Sequence, residues 1–228
     1  MKVSIIILSQ NDEKYILNLL ESLSLQDFKN FEVLMVDLCS TDQTLAKVKS
    51  FPVKAFRLET SEKNLPKAIN SAARLCAGEV IFCLRGNVIP KNANFISNGL
   101  KIFTQKQTAL VFGPRIKKDE APLVRLLNFR TWGNITSQSK EILLKEIRYI
   151  HLDACAFRKK YWKIDRFSEN ETIFIWEWSQ TQLGLGHKII FNPQMTTVVQ
   201  ERTGLIKHLK EKTRINRLYN NFKARIKR

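Results

Sequence analysis

The run Glu79-Val80-Ile81-Phe82-Cys83-Leu84-Arg85-Gly86-Asn87-Val88-Ile89-Pro90 carries the most pointed chemistry in this chain. A short apolar strand, Val80 to Leu84, stops abruptly on a guanidinium, a glycine and a carboxamide. In open α/β sheets the carboxyl ends of strands are where ligands bind. Two other apolar runs stop the same way. Val3 to Leu8 ends on Ser9-Gln10-Asn11-Asp12-Glu13, and Phe31 to Asp37 ends on Leu38-Cys39-Ser40-Thr41-Asp42-Gln43-Thr44. With 38 Lys and Arg against 21 Asp and Glu, the formal net charge is +17. That balance favours a negatively charged partner: phosphate groups, an anionic membrane or nucleic acid.

The elements that must position these residues follow from periodicity. Val3 to Leu8 is mostly β-branched and nearly continuous, as a parallel strand buried on both faces requires. A helix follows, with apolar Ile16, Leu17, Leu19, Leu20, Leu23 and Leu25. After Phe31 to Asp37, Ser40 or Thr41 is expected to cap a helix beginning near Thr44. Val53 to Leu58 reads as a third strand, residues 64–75 as a helix, and Val80 to Leu84 as the fourth strand. Such alternation implies a mainly parallel, doubly wound sheet flanked by helices. Strands 3–8, 32–37 and 80–84 should share it, with Asp37 and Arg85 at one edge. Further on, Phe95 to Phe103 reads as a helix, Leu110 to Gly113 as a strand and Trp132-Gly133-Asn134 as a turn.

At 228 residues the chain accommodates one sizeable α/β domain, here residues 1–202, and a tail, 203–228. No apolar run approaches the roughly 18–20 residues needed to span a bilayer, and Val3 to Leu8 is too short for a signal-peptide core. Cys39, Cys76, Cys83 and Cys155 form no Cys-x-x-Cys pair, which fits a reducing cytoplasm rather than zinc or disulfides. The three histidines, His151, His187 and His208, do not cluster. The tail is basic, with Leu205, Leu209, Ile215, Leu218, Tyr219, Phe222 and Ile226 at helical spacing. Either it lies on an anionic membrane surface, making the protein peripheral at the inner face, or its apolar stripe docks on the domain. No nucleic-acid motif accompanies the charge.

Several stretches together resemble the family 2 glycosyltransferases, which have the GT-A fold. Val3-Ser4-Ile5-Ile6-Ile7 and Asn11 are similar to the family's opening Val-Ser-Ile-Ile-x-Pro-x-x-Asn, with Leu8 replacing the proline. Gln26-Asp27-Phe28 with Phe31-Glu32-Val33 follow the family pattern, and Val36-Asp37 through Thr44 resembles its Val-Asp-Asp-Gly-Ser-x-Asp-x-Thr except at Leu38, in place of the second aspartate, and Cys39, in place of the glycine. Asn70 and Cys76-Ala77-Gly78-Glu79-Val80-Ile81 lead, as in the family, into the strand that should end Leu-Asp-x-Asp. Ile150 to Lys159, with its Arg158-Lys159 pair, and Gly186-His187-Lys188-Ile189-Ile190-Phe191-Asn192-Pro193 extend the likeness over most of residues 1–200.

The resemblance implies a nucleotide-sugar donor, with Ser9, Asn11, Asp37, Asn70, Arg85 and Asn87 as donor-binding positions. Asp37 would hold the base or ribose of the nucleotide, or else cap backbone amides. Where the family has two metal-binding aspartates, this chain has Arg85-Gly86-Asn87, which cannot seat Mg²⁺ or Mn²⁺. No metal cofactor is therefore expected. Arg85 would replace part of the ion's charge on the diphosphate, or point into solvent. The family's Glu-Asp base pair falls on Phe174-Ile175 counted back from Gly186, and on Trp176-Glu177 counted forward from Phe167. Glu177 is the best carboxylate for a base, or else a helix-terminal charge. The family's late histidine aligns with Gln200. Two readings stand. One is metal-independent transfer of a sugar to a glycan or lipid-linked acceptor. The other is a catalytically inactive relative that serves as a binding or scaffold subunit beside a partner glycosyltransferase.

Overall fold

The computed structural model describes residues 1–58, 64–117, 139–141, 150–169 and 173–200. The expected Trp132-Gly133-Asn134 turn, His208 and the basic tail lie outside the described residues. Four strands pair in parallel: β1 (Val3–Ser9), β2 (Phe31–Asp37), β3 (Val53–Arg57) and β4 (Val80–Arg85), in the order β3-β2-β1-β4. Beyond β4 the sheet runs through β9 (Cys155–Arg158), β6 (Thr108–Phe112) and β10 (Lys188–Phe191) to a two-residue β8 (Lys140–Glu141). β9 is antiparallel to both neighbours, while β6 and β10 are parallel to each other. Among the described residues, four of the seven pairings in this sheet are thus parallel, which bears out the mainly parallel α/β class.

The central strands are largely apolar because both faces are covered. Ile5, Ile7, Val33, Met35, Phe82 and Leu84 pack on one face, under α1 (Ile16–Ser24), α2 (Thr44–Val48) and α4 (Phe95–Phe103). Ile6, Leu8, Leu34, Val36, Ile81 and Cys83 pack on the other, under α3 (Leu65–Leu75), α5 (Lys159–Ile164) and α6 (Phe174–Gly184). Leu38, standing where the family carries a second aspartate, has joined this core and is buried. Leu25, expected on the apolar face of α1, lies past its end and is 71% exposed.

Polar pins hold the strands at their amino ends. Glu32 accepts bonds from Ser4 Oγ (2.6 Å), Ala77 N (2.5 Å) and Lys54 Nζ (3.2 Å), and Gly78 N donates to Ser4 Oγ (2.8 Å). These pins give structural reasons for the Phe-Glu and Ala-Gly-Glu stretches. The Arg158-Lys159 pair also serves structure. Buried Arg158 donates to carbonyls of Phe103, Gln105 and Thr108 around the end of α4, and Lys159 to those of Arg74 and Cys76 at the end of α3. A second, three-stranded sheet was not anticipated: β5 (Val88–Pro90), β11 (Thr197–Val199) and β7 (Arg115–Lys117), in the order β5-β11-β7. It brings residue 200 back to the end of β4, where Gln200 N bonds Asn87 O at 2.9 Å.

Candidate functional site

Register brings the strand ends together. Ser9 pairs with Asp37, Asp37 with Arg57, and Leu8 with Arg85, so Asp37 and Arg85 share the carboxyl edge of the sheet as expected. Leu38 N bonds Ser9 O and Gly86 N bonds Leu8 O, carrying the alignment one residue past the strands.

Two loops leave this edge and interlock. Asn11 N donates to Ser40 Oγ (3.0 Å), Asp12 N to Thr44 Oγ1 (2.9 Å) and Glu13 N to Asp42 Oδ2 (3.1 Å). In return Thr41 N donates to Asn11 Oδ1 (2.9 Å) and Gln43 N to Glu13 Oε2 (3.0 Å). Ser40 and Thr44 thus brace one loop against the other. The expected cap of α2 by Ser40 or Thr41 is corrected: the cap position is Gln43, which makes no side-chain cap bond, while Asp42 Oδ1 takes the Thr44 amide at 3.0 Å and Ser40 and Thr41 bond Asn11. Asn11 (φ 53°) and Cys39 (φ 58°) are both left-handed. The family's glycine at the second position supplies that conformation without strain.

Asp37 is fully buried and its carboxylate is occupied. Ser40 N donates to both oxygens (3.1 and 3.3 Å), and Arg57 Nε lies 3.0 Å from Oδ2. Arg57 Nη2 also donates to Ser40 O at 2.8 Å, and the Arg57 side chain is 46% exposed. Sequence reasoning missed Arg57; its only signal was a cation at the end of a predicted strand. Asn70 is likewise engaged within the protein. Its Oδ1 accepts from Trp162 Nε1 (2.9 Å), and its Nδ2 donates to Phe167 O (2.8 Å) and Glu169 Oε1 (3.3 Å). This buried amide ties α3 to α5 and the following loop, so the structure does not present it as an open donor contact.

Arg85 is exposed at the tip of β4, and the turn after it is crowded. A Cβ on Gly86 would lie 2.3 Å from Asp12 Oδ2 and 2.6 Å from Ser9 Oγ, so only glycine fits without displacing them. Ser9 Oγ donates to Asp12 Oδ2 at 2.8 Å, and Gln10 N donates to the same oxygen at 3.1 Å. Burial pushes the Asp12 carboxyl above its ordinary value; Ser9, Gln10 and the Arg85 charge pull it back in part, and Asp42 adds to the rise. Ser9 therefore organises Asp12 beneath the Arg85 turn. Asp12 is the second residue that sequence reasoning passed over.

Arg85 is a cation with no oxygen donor, and Asn87 offers one neutral amide oxygen, so the two carboxylates that would balance Mg²⁺ or Mn²⁺ in the family have no counterpart at these positions. Asp12 is already committed to Ser9 and Gln10. Among the described residues no three His, Cys, Asp or Glu side chains gather as metal ligands. Further along the edge, Asp153 in the 3₁₀ turn Leu152–Ala154 pairs with Arg115 (2.9 Å), both largely buried. Glu177 lies in the first turn of α6, half-buried. That helix returns to the start of β10, so Glu177 stands towards the carboxyl edge, beyond β9 from Arg85. Gln200 bonds α1 through Asn18 Nδ2 (2.7 Å) and Tyr15 O (3.2 Å), which fixes Asn87 beside it. His187 stacks on Tyr161 with centroids 3.8 Å apart, a packing role.

A two-faced α/β sheet with polar loops interlocked at one carboxyl edge is the architecture of GT-A glycosyltransferases, and solved structures of that class overlay on it. A fragment of TarS from Staphylococcus aureus in complex with UDP-GlcNAc matches with a TM-score of 0.70 at 23% identity, over 90% of this chain and 60% of that one. The mannosyltransferase PcManGT from Pyrobaculum calidifontis, with GDP-Man and Mn²⁺, matches with a TM-score of 0.70 at 17% identity, over 89% and 57%. At these identities the likeness speaks to the fold alone.

The chain belongs to glycosyl transferase family 2, whose model matches residues 4–165. The poly(ribitol-phosphate) beta-N-acetylglucosaminyltransferase TarS of S. aureus is 38% identical over 146 residues, 57% of this chain and 26% of that protein. A Methanococcus voltae dolichyl N-acetyl-alpha-D-glucosaminyl phosphate 3-beta-D-2,3-diacetamido-2,3-dideoxy-beta-D-glucuronosyltransferase is 29% identical over 152 residues, 64% and 42%. The chain therefore spans about a quarter to two fifths of the length of these relatives.

Proposed function

We propose that this chain binds a nucleotide sugar along the β1–β4 edge and transfers its sugar, without a divalent metal, to a glycan or lipid-linked acceptor. The observation that carries the reading is Arg85, exposed at the end of β4 where the family holds a metal on the donor diphosphate. A guanidinium at this place can stabilise charge developing on a leaving diphosphate, a term that is usually large in catalysis. Asn87, held by Gln200 N through its carbonyl, stands at the other former metal position. Glu177 is the carboxylate proposed to take the acceptor proton. Solved structures of the same fold hold UDP-GlcNAc, or GDP-Man with Mn²⁺, which supports a nucleotide-sugar partner. The basic tail is proposed to add an anionic membrane surface.

The test is release of nucleoside diphosphate from a panel of nucleotide sugars, with candidate glycan and lipid-linked acceptors and a chelator present. Acceptor-dependent release supports transfer. Donor binding by calorimetry without release on any acceptor would instead assign the chain to an inactive binding subunit. Absence of donor binding would refute the site itself.

A further inference from the structure

We infer that Arg57, rather than Asp37, is the residue that meets the nucleoside end of the donor. The inference rests on the donor-site reading above and adds a residue to it. Asp37 has no exposed surface, and its oxygens already receive Ser40 N and Arg57 Nε. A nucleotide approaching the end of β2 cannot bond this carboxylate unless Arg57 is first pulled away. That would leave a buried charge without its cation, which is strongly unfavourable. The guanidinium, in contrast, is half-exposed at the same register position.

Arginine carries five N–H donors in a rigid fork. Two are used on Asp37 and on Ser40 O, so three remain without a partner among the described residues. The two bonds that are made fix the plane of the fork, and little rotamer freedom is left to lose on binding. A group that only donates reads acceptor atoms: carbonyl oxygens of a nucleobase edge, or ribose oxygens. Arg57 at the end of β3 and Arg85 at the end of β4 are separated by three strand spacings, about 14 Å. That span suits a nucleoside diphosphate laid across the strand ends and is too long for pyrophosphate alone. Arg57 and Arg85 then grip opposite ends of one ligand, with Asp37 as the positioning residue that aims Arg57.

The test is calorimetric titration of UDP, GDP, CDP, dTDP and inorganic pyrophosphate in chelator. The proteins are the wild-type full chain, Arg57→Ala, Arg57→Lys and Asp37→Asn. Thermal unfolding of each variant checks the fold; Arg57→Lys keeps the charge beside Asp37 but loses the fork. For the tightest nucleotide, Arg57→Ala and Arg57→Lys should each weaken binding roughly tenfold or more. Pyrophosphate affinity should not change in either. Wild-type nucleotide affinity retained by folded Arg57→Lys and Arg57→Ala overturns the inference. So does a loss in Asp37→Asn that Arg57→Lys does not share. If wild type binds pyrophosphate and all four nucleotides alike, Arg57 is refuted while the Arg85 site stands. If wild type binds none of them, the donor-site reading itself fails.

Discussion

Replacing Gly78 by alanine should test how the sheet edge is built. Gly78 precedes β4 at the amino end of the sheet, where it crosses β1. A Cβ there would lie 2.4 Å from Ser4 N, 2.6 Å from Val3 C and 2.7 Å from Ser4 Oγ. The first two are backbone atoms of a central strand paired on both sides, so no side chain can swing away. Inserting a methyl group into such a contact costs ~1–3 kcal/mol. The displaced Gly78 N–Ser4 Oγ bond, 2.8 Å, adds ~1 kcal/mol. Alanine returns ~0.4–1 kcal/mol by restricting the unfolded chain. The net loss is about 1–3.5 kcal/mol, a sizeable share of the ~5–15 kcal/mol typical of a domain. Urea unfolding followed by tryptophan fluorescence measures it, with an expected fall of roughly 2–14 °C in Tm alongside. A loss below ~0.5 kcal/mol with an unchanged denaturant slope would show that β1 and β4 are not in the close contact described.

Three further outcomes are expected. The Glu32 carboxyl is subject to burial, but its bonds to Ser4, Ala77 and Lys54 outweigh it and hold the group below its ordinary value of 4.5. Its stabilisation is therefore present above that value and fades as pH falls through the lower folded one. Glu32→Gln should cost ~1–3 kcal/mol at neutral pH, with a smaller difference from wild type in acid; a pH-independent difference would contradict this. Cys39→Gly removes left-handed strain of ~1–2 kcal/mol against ~0.5–1 kcal/mol of added chain entropy and a weak Sγ bond to Leu58 O, for a net gain of at most about 1.5 kcal/mol by chemical denaturation. A chain ending at Thr203 should lose salt-sensitive binding to anionic vesicles, each basic residue near the surface being worth ~1 kcal/mol; equal sedimentation of both chains would remove the membrane from the proposal.

The parallel half of the sheet was legible because Ile5 to Leu8, Val33 to Val36 and Val80 to Leu84 are buried on both faces, which only continuous apolar runs satisfy. The small β5-β11-β7 sheet was not, since three-residue strands carry no period and pair across a long sequence distance. Strand-end residues could be named from sequence, but not their partners. Asp37 was recognised as a carboxylate at an edge; that Arg57 covers it depends on register between β2 and β3. Asn70 was singled out by resemblance, and its use by Trp162 and Phe167 depends on a packing contact about ninety residues away. The start of α2 was misread because Ser40 and Thr41 are good cap residues, whereas the cap position is Gln43 and the neighbouring loop takes up Ser40 and Thr41.

The central proposal is that the Arg85 guanidinium takes over the charge that a metal supplies elsewhere in the family. Its most direct test is the affinity of the tightest nucleotide sugar in chelator, measured by calorimetry for wild type and Arg85→Ala. Loss of one charge-assisted contact worth ~1.5–3 kcal/mol predicts a roughly ten- to hundredfold weaker Kd in the variant. Wild-type binding should be the same in Mn²⁺ as in chelator. Equal affinity of the two proteins, or binding by wild type that disappears with the chelator, would contradict it.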